Sequence, residues 1–399
     1  MIRAEVVLSL LNKKSFIVST ILFGVVILFC APWVLASNTP YQKLIISFMW
    51  LPAIVHVCLF SRCYRAVSGV GVVLYLLAAA WFSVVVVAHA QDVADFRELK
   101  VVIYIGLTLL GFFAVAEAGS DKFKKVLLYS AVFGGFGAWV SCVYFYLVEG
   151  APFLSRHPAV GLWNVIIIAA QAVGSLMLLA VCLGLSEAFR PAFRIVFIVS
   201  LLGYLVFIIA SQARGVWIAL SVAFVVFGLL SRSRGVLLLV CAFFLSLALV
   251  FFFNSDIFLS RGTSYRSELW LAGISYALDN WKFGVGVNEV WSIGLSSGEV
   301  QHHPHNMFID IARRFGVAGL FFWLMLWSWA FFEAYRFRSA ELGRAALVLL
   351  VYSSVVVLTD GVAQWKKPNP GWFVTWIPLA LVFALAGIKS ARGLEGRTK

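Results

Sequence analysis

Apolar residues fill this chain in long blocks, and short breaks with charged or turn-forming residues separate the blocks. A helix needs about 20 mostly apolar residues to cross the hydrocarbon core of a membrane. Blocks of this length therefore predict transmembrane helices, twelve in all. The predicted spans are 15–36, 43–60, 67–89, 99–117, 126–148, 162–185, 195–212, 215–230, 235–253, 316–335, 345–361 and 371–388. The pattern predicts an all-α polytopic membrane protein.

The junction between the seventh and eighth spans is unusually short, because Ser211 to Gly215 leaves almost no room for a loop. A tight hairpin between two helices would explain it. A broken helix that lines a cavity would also fit, since irregular backbone is tolerated at membrane depth where protein or water satisfies its polar groups.

One long stretch, 254–316, is too polar to lie in a bilayer, and it separates the ninth span from the tenth. It contains three of the 6 histidines of the chain, with several arginines and tryptophans. Within it, YRSELWLAGISYAL repeats its apolar positions at helical spacing, which predicts an amphipathic helix on the membrane surface. We expect a single transmembrane domain, 1–399, with residues 254–315 as an inserted loop subdomain.

Composition supports the membrane class: 62% of the residues are hydrophobic and 12% are charged, against roughly 25% charged in soluble proteins. The net charge of +13 is then typical of cytoplasmic loops beside anionic lipid headgroups, and we expect no nucleic-acid partner. The 6 cysteines lie in or beside apolar blocks without a CxxC pair, which indicates packing residues. The N-terminus shows no cleavage-site pattern and predicts a retained first helix.

The distribution of the 31 Lys and Arg residues sets the orientation, because such residues concentrate in cytoplasmic loops. Most of them fall on one side when the N-terminus is placed inside, and each inside segment then holds at least two. Both termini are therefore predicted to be cytoplasmic, and the long polar stretch becomes one large extracytoplasmic loop that contains amphipathic helices.

Several positive charges remain on the outer side. Arg214 lies between two apolar spans, where an unpaired arginine costs about 2.5 to 3.5 kcal/mol. Arg266 begins the amphipathic segment, and Arg156 belongs to another outer loop. The planar guanidinium group suits a bidentate hold on phosphate, so we expect a phosphate ligand near the membrane surface. Contact with lipid headgroups, or for Arg266 with Glu268, would also account for these charges.

The segment His302-His303-Pro304-His305-Asn306 suggests a metal site or a general base. It contains no HExxH pair and no nearby cysteine, so we expect no metal. An imidazole near its working pKa can instead take a proton from an attacking hydroxyl group, and Asn306 could orient either the imidazole or the substrate. A polar loop without a chemical role is the remaining alternative.

The motifs SQARGVW, R-x-x-x-W and HPHN, followed by a helix and FGVAGL, carry a family resemblance. In this order they resemble the O-antigen ligase and O-antigen polymerase superfamily of bacterial membrane glycosyltransferases, over roughly Gly203 to Leu320. The resemblance implies a GT-C-like enzyme of the bacterial inner membrane that uses an undecaprenyl-diphosphate-linked glycan on its periplasmic side. It also implies that the enzyme needs no metal, nucleotide sugar or other cofactor.

Carried over by position, the resemblance implies roles for single residues. His305 would be the base, with His303 as second choice, and Arg214 and Arg266 would hold the diphosphate. Arg156 is a further candidate for the diphosphate, while Asn306, Trp270 and Arg261 would support the site. The pair Lys366 and Lys367 would contact a phosphate-bearing acceptor, although exposed charge is also ordinary before a Pro-rich turn. The expected displacement inverts the anomeric configuration.

Three activities remain possible for such a site. A ligase would deliver the glycan to lipid A-core in lipopolysaccharide assembly, and the compact chain with one dominant loop favours it. A polymerase would extend another lipid-linked repeat. A transporter of lipid-linked glycan would need broken helices and charge near mid-bilayer in both halves, whereas here the charge concentrates at one face.

Overall fold

The computed structural model describes residues 2–60, 69–152, 155–185, 191–231, 233–253, 265–361 and 365–395. Arg261 lies outside these residues. The described chain is almost entirely helical, and its two short strands, β1 (Ile293–Gly294) and β2 (Val300–Gln301), form one antiparallel pair. The prediction of an all-α polytopic membrane protein is confirmed.

Fourteen helices follow one another along the described chain. They are α1 (Ile2–Cys30), α2 (Asn38–Ile45), α3 (Leu51–Leu59), α4 (Gly69–His89), α5 (Lys100–Ala118), α6 (Ser120–Val143), α7 (Ile166–Gly184), α8 (Pro191–Ser211), α9 (Arg214–Ser231), α10 (Arg234–Phe253), α11 (Arg266–Asp279), α12 (Met307–Arg336), α13 (Glu341–Thr359) and α14 (Trp376–Glu395). A π-helical turn, Ile46–Trp50, joins α2 to α3, so that Asn38–Leu59 forms one apolar span.

In the described residues, 11 helices are long and apolar enough to cross a membrane. The twelfth predicted span corresponds to a shorter apolar helix, Trp376–Lys389, within α14. The predicted break between the seventh and eighth spans is also present, because α8 ends at Ser211 and α9 begins at Arg214. Gln212 turns the chain with a left-handed φ of 52°.

The helices pack so that α7 lies at the centre, and its residues from Ala169 to Gly184 are buried. It contacts α6, α8, α9 and α13. Both α8 and α9 contact α7, but α8 packs mainly on α6, whereas α9 packs mainly on α13 and also contacts α10. The junction between them therefore opens toward α13 and belongs to a cavity wall.

Helix α12 is broken at Gly316, whose φ of 67° and ψ of −177° are not helical. Just before a break, carbonyl groups lose their helical partners, and at membrane depth these groups need others. The loop after α11 supplies them: the Val285 amide donates to the Arg313 carbonyl oxygen and the Gly286 amide to that of Arg314, both over 3.0 Å. The GVGVN segment, Gly284 to Asn288, is therefore hydrogen-bonded to the helix at its break.

Substituting Gly316 tests this packing. A Cβ atom at this position would lie 2.5 Å from the Lys282 carbonyl oxygen and 2.6 Å from that of Trp281, in backbone geometry that costs side-chain-bearing residues about 1–3 kcal/mol. We expect Gly316→Ala to lower the apparent Tm of the detergent-solubilised protein by several degrees. Gly69→Ala is the matched control, because nothing lies within 4 Å of its added Cβ. Equal Tm values for the two variants would contradict the close packing.

Candidate active site

A cavity of about 550 Å³ opens where the α8–α9 junction, the start of α11, the loop before α12 and the end of α13 meet. Its polar wall consists of Arg156, Gln171, Gln212, Arg214, Tyr265, Arg266, Glu299, Gln301, His305, Thr359 and Asp360. Ile167, Val216 and Val356 add an apolar side, each within a turn or so of a helix end that faces the cavity. We call this space the first cavity.

Three arginines from three separate elements line the first cavity. Arg214 begins α9, Arg266 begins α11, and Arg156 lies in the loop between α6 and α7, where its Nε donates to the Ser211 carbonyl oxygen over 2.9 Å. The convergence of Arg214 and Arg266 with His305 agrees with the predicted arrangement of these side chains. Positive charge from distant parts of the sequence is thus concentrated in one space.

The charge environment favours an anion in this cavity. Burial lowers the pKa of the Arg266 guanidinium, and the negative charge of Asp360 raises it while the positive charge of Arg214 lowers it further. Arginine keeps its charge in proteins, so a negative ligand would relieve the repulsion. Helix α11 begins beside this charge, and Tyr265 provides no side-chain cap for it. Its first amide groups and its dipole add positive potential.

His305 is held by an acidic side chain at the end of α13. Its Nδ1 lies 3.0 Å from Oδ1 of Asp360, whose side chain is 8% exposed. With Nδ1–H donating to this carboxylate, the Nε2 atom carries the lone pair. The Oε1 atom of Gln301 lies 3.4 Å from Nε2, and Gln301 can donate to this lone pair only when its side-chain amide turns its nitrogen toward the ring. A carboxylate in this position fixes the tautomer and stabilises the imidazolium ion that forms on proton uptake.

Sequence reasoning missed Asp360. Its side chain meets a histidine 55 positions earlier in the chain, and no local motif connects the two. The one available signal was an acidic residue at the outer end of an apolar span, where ionisable groups are expensive and commonly functional.

His303 lies behind His305, with a ring centroid 3.9 Å from that of His305 and an interplanar angle of 50°. Burial lowers the pKa of His303, as does the charge of His305, while Asp360 and Asp310 act in the opposite direction. His303 is therefore favoured as a neutral ring that packs against His305. Because His305 itself lines the cavity, the geometry favours His305 over His303 as the base.

Backbone strain concentrates around the same cavity. Among the described residues, the non-glycine residues with positive φ are Gln212 (52°), Tyr265 (52°) and His305 (51°), and all three line the first cavity. Side-chain-bearing residues in this region cost on the order of 1 kcal/mol or more each and persist where the surroundings hold them. The surrounding packing therefore holds Gln212, Tyr265 and His305 in a strained backbone conformation at the wall of the first cavity.

One group of side chains in the described chain could also hold a metal ion. One ligand atom each from His303, His305 and Asp360 lies within 4.8 Å of the others. The contact between His305 and Asp360 is already a hydrogen bond, and the nearby charge of Arg266 disfavours a further cation. A metal-free site stays our expectation, and chelation tests it.

The remaining predicted residues lie around the cavity. Asn306 is 4% exposed and caps α12, since its Oδ1 accepts from the amides of Phe308 and Ile309 over 3.0 and 3.2 Å. Trp270 packs in a small apolar cluster with Leu269, Trp291 and Leu295 that holds α11 to its loop. Lys366 lines a different cavity, and Lys367 follows it in the same loop.

The positive charges of Arg313 and Arg314 have a structural explanation. Asp310, which is fully buried, accepts from Arg313 Nη2 over 2.7 Å and from Arg314 Nε over 3.1 Å. The three residues stand at helical spacing in α12, where such pairs meet. Two of the outward positive charges are therefore paired with one buried carboxylate within the protein, which offsets one of the two charges. This pairing anchors the helix that begins just after His305 and Asn306.

Comparison with known proteins points to one family. Residues 195–324 match the O-antigen ligase family. The chain is similar to an O-antigen ligase from Pseudomonas aeruginosa, with 30% identity over 130 residues that cover 33% of this chain and 32% of the relative. The alignment thus spans about a third of the relative's length. The matched residues include Arg214, Arg266 and His305, so the similarity to the O-antigen ligase family covers the segment that contributes these three side chains to the first cavity.

Proposed function

We propose that this protein transfers a glycan from an undecaprenyl-diphosphate carrier to lipid A-core on the periplasmic side of the bacterial inner membrane. One observation carries the proposal: three arginines and the His305–Asp360 pair face a single cavity at one end of the helix bundle. The match of residues 195–324 to the O-antigen ligase family supports it. The proposed acceptor rests on this similarity and on the single dominant loop.

The donor's diphosphate binds between Arg214 and Arg266 in this proposal. Two guanidinium groups offer bidentate hydrogen bonds to phosphate oxygens, and the uncapped start of α11 offers backbone amides. The apolar residues Ile167, Val216 and Val356 lead from this position toward the body of the bundle. They would accompany the first isoprene units of the carrier.

The transfer is a single displacement. His305 Nε2 takes the proton of an acceptor hydroxyl group as that oxygen attacks the anomeric carbon of the glycan. The bond between this carbon and the diphosphate oxygen breaks, and undecaprenyl diphosphate leaves with its electron pair. Arginines stabilise the leaving charge where it develops, while Asp360 stabilises the imidazolium ion. Attack opposite the leaving group inverts the anomeric configuration.

Removal of the imidazole tests this role. A general base contributes about 10²- to 10⁴-fold, so we expect His305→Ala to reduce glycan transfer from purified lipid-linked donor to lipid A-core by at least about a hundredfold. His302→Ala is the matched control, because this neighbouring histidine is exposed and should retain near wild-type transfer.

The same assay separates the candidate activities. The wild-type protein should form product only when lipid A-core is present. Lengthened lipid-linked chains without the core would identify a polymerase, and the absence of any product would contradict a transferase. Full transfer by His305→Ala would reject the assigned base.

Chelation tests whether His303, His305 and Asp360 work without a metal. We expect the transfer rate to stay the same after extensive treatment with EDTA and assay in metal-free buffer, because the arginines neutralise the diphosphate and a hydrogen bond orients His305. A loss of transfer that added divalent cation restores would show that the three side chains hold a required ion.

A further inference from the structure

A second cavity of about 400 Å³ lies beside the first, and the mechanism above leaves it unused. The loops before α2, before α7 and between α13 and α14 form its walls. Each of these loops lies at the same end of the bundle as His305, because an even number of membrane-spanning helices separates each of them from the loop that contains His305. The second cavity therefore faces the same side of the membrane as the first.

The two cavities share one partition. Gln171 lines both of them, and its Nε2 donates to the carbonyl oxygen of Asp360 over 2.5 Å. Gly361, which follows Asp360, and Met307, which follows the His305-Asn306 pair, line the second cavity. The His305–Asp360 pair thus lies on one side of this partition, and the second cavity lies on its other side.

The lining of the second cavity differs chemically from that of the first. Instead of arginines and carboxylates it has side-chain amides, those of Asn38, Asn164, Gln171 and Asn369, with a single charged group, Lys366. Apolar side chains such as Leu162 and Val165 lie between them. Amides with apolar patches suit sugar rings, which present hydroxyl groups at their edges and C–H groups on their faces. One ammonium group suits one anionic substituent.

The position of Lys366 is held by its own loop. Its carbonyl oxygen accepts from Trp372 Nε1 over 2.9 Å, and the Asn369 side chain closes the turn by accepting from the Gly371 amide over 2.7 Å. Burial lowers the pKa of Lys366, and so does the charge of Arg314. The Lys366 charge in turn lowers the pKa of His303, by less than burial and the charge of His305 do.

We propose that the second cavity binds the saccharide end of the acceptor, with Asn38 and Asn164 on sugar hydroxyl groups and Lys366 on an anionic substituent such as a phosphate. This assignment rests on the proposed transferase function and gives that function a second substrate site. The saccharide end of the acceptor and the diphosphate of the donor then occupy separate cavities on either side of the Gln171 partition. The attacking hydroxyl group of the acceptor extends past this partition into the first cavity, where His305 and the anomeric carbon of the donor lie.

Kinetics of single variants test the assignment. We expect Lys366→Ala and Asn164→Ala each to raise the KM for lipid A-core by about tenfold, the usual effect of losing a hydrogen bond to a charged or well-placed group. The KM for the donor, and kcat at saturating acceptor, should stay near wild type. Lys43→Ala is the matched control, because this exposed lysine is not among the residues that line the second cavity, and its KM for both substrates should stay unchanged.

An acceptor without phosphate groups distinguishes the charge contact of Lys366 from the hydrogen bond of Asn164. With an acceptor whose core phosphates have been removed, Lys366→Ala should no longer raise the acceptor KM, whereas Asn164→Ala should still do so. An unchanged acceptor KM in both variants, or an equal rise in the donor KM, would overturn the assignment.

Direct binding distinguishes failure of this inference from failure of the proposed function. Isolated core oligosaccharide should bind the wild-type protein in a calorimetric titration and bind Asn164→Ala about tenfold more weakly. Binding that follows this pattern in a protein that transfers no glycan would retain the saccharide site and reject the transferase. Equal binding to the wild type, to Asn164→Ala and to Lys366→Ala would overturn the saccharide site itself.

Discussion

The hydrogen bond between His305 and Asp360 is the contact on which the rest of the site depends. It joins the loop before α12 to the end of α13, two segments whose helices also pack on each other. Its ring and carboxylate face the first cavity, while the residues just after each partner, Met307 and Gly361, face the second. A shift of either helix end would move the base relative to both spaces.

Two devices keep these helix ends in place. Asn306 caps α12 directly after His305, and Asp310 ties down Arg313 and Arg314 one turn later. At Gly316 the helix breaks, and the loop after α11 takes up the freed carbonyl groups. Because α11 carries Arg266 at its start, this loop connects the position of the proposed diphosphate contact to that of the proposed base, His305. The carbonyl groups at the Gly316 break thus have hydrogen-bond partners. The same hydrogen bonds help to position the segments that carry Arg266 and His305.

Local sequence patterns predicted most of the fold and part of the site. Spans are readable because crossing a membrane fixes both length and apolarity, and Arg214, Arg266 and His305 were identified because charge and imidazole are conspicuous beside apolar blocks. Asp360 escaped notice because its partner is 55 positions away. The hydrogen bonds of the GVGVN segment are also not readable from the sequence, because their acceptors, the Arg313 and Arg314 carbonyl groups, are available only where a distant helix breaks. The pairing of Asp310 with Arg313 and Arg314 was not predicted either, although its helical spacing is a signal that could have indicated it.

The central claim is that different residues of the first cavity carry out two tasks: Arg266 helps to hold the diphosphate of the donor, and His305 activates the acceptor. Equilibrium binding of undecaprenyl diphosphate to purified variants in lipid nanodiscs tests it most directly. Arg266→Ala should weaken binding by about tenfold or more, since it removes a charge-assisted contact. His305→Ala should bind the carrier as tightly as the wild type. Unchanged affinity in Arg266→Ala, or a comparable loss in His305→Ala, would contradict the account.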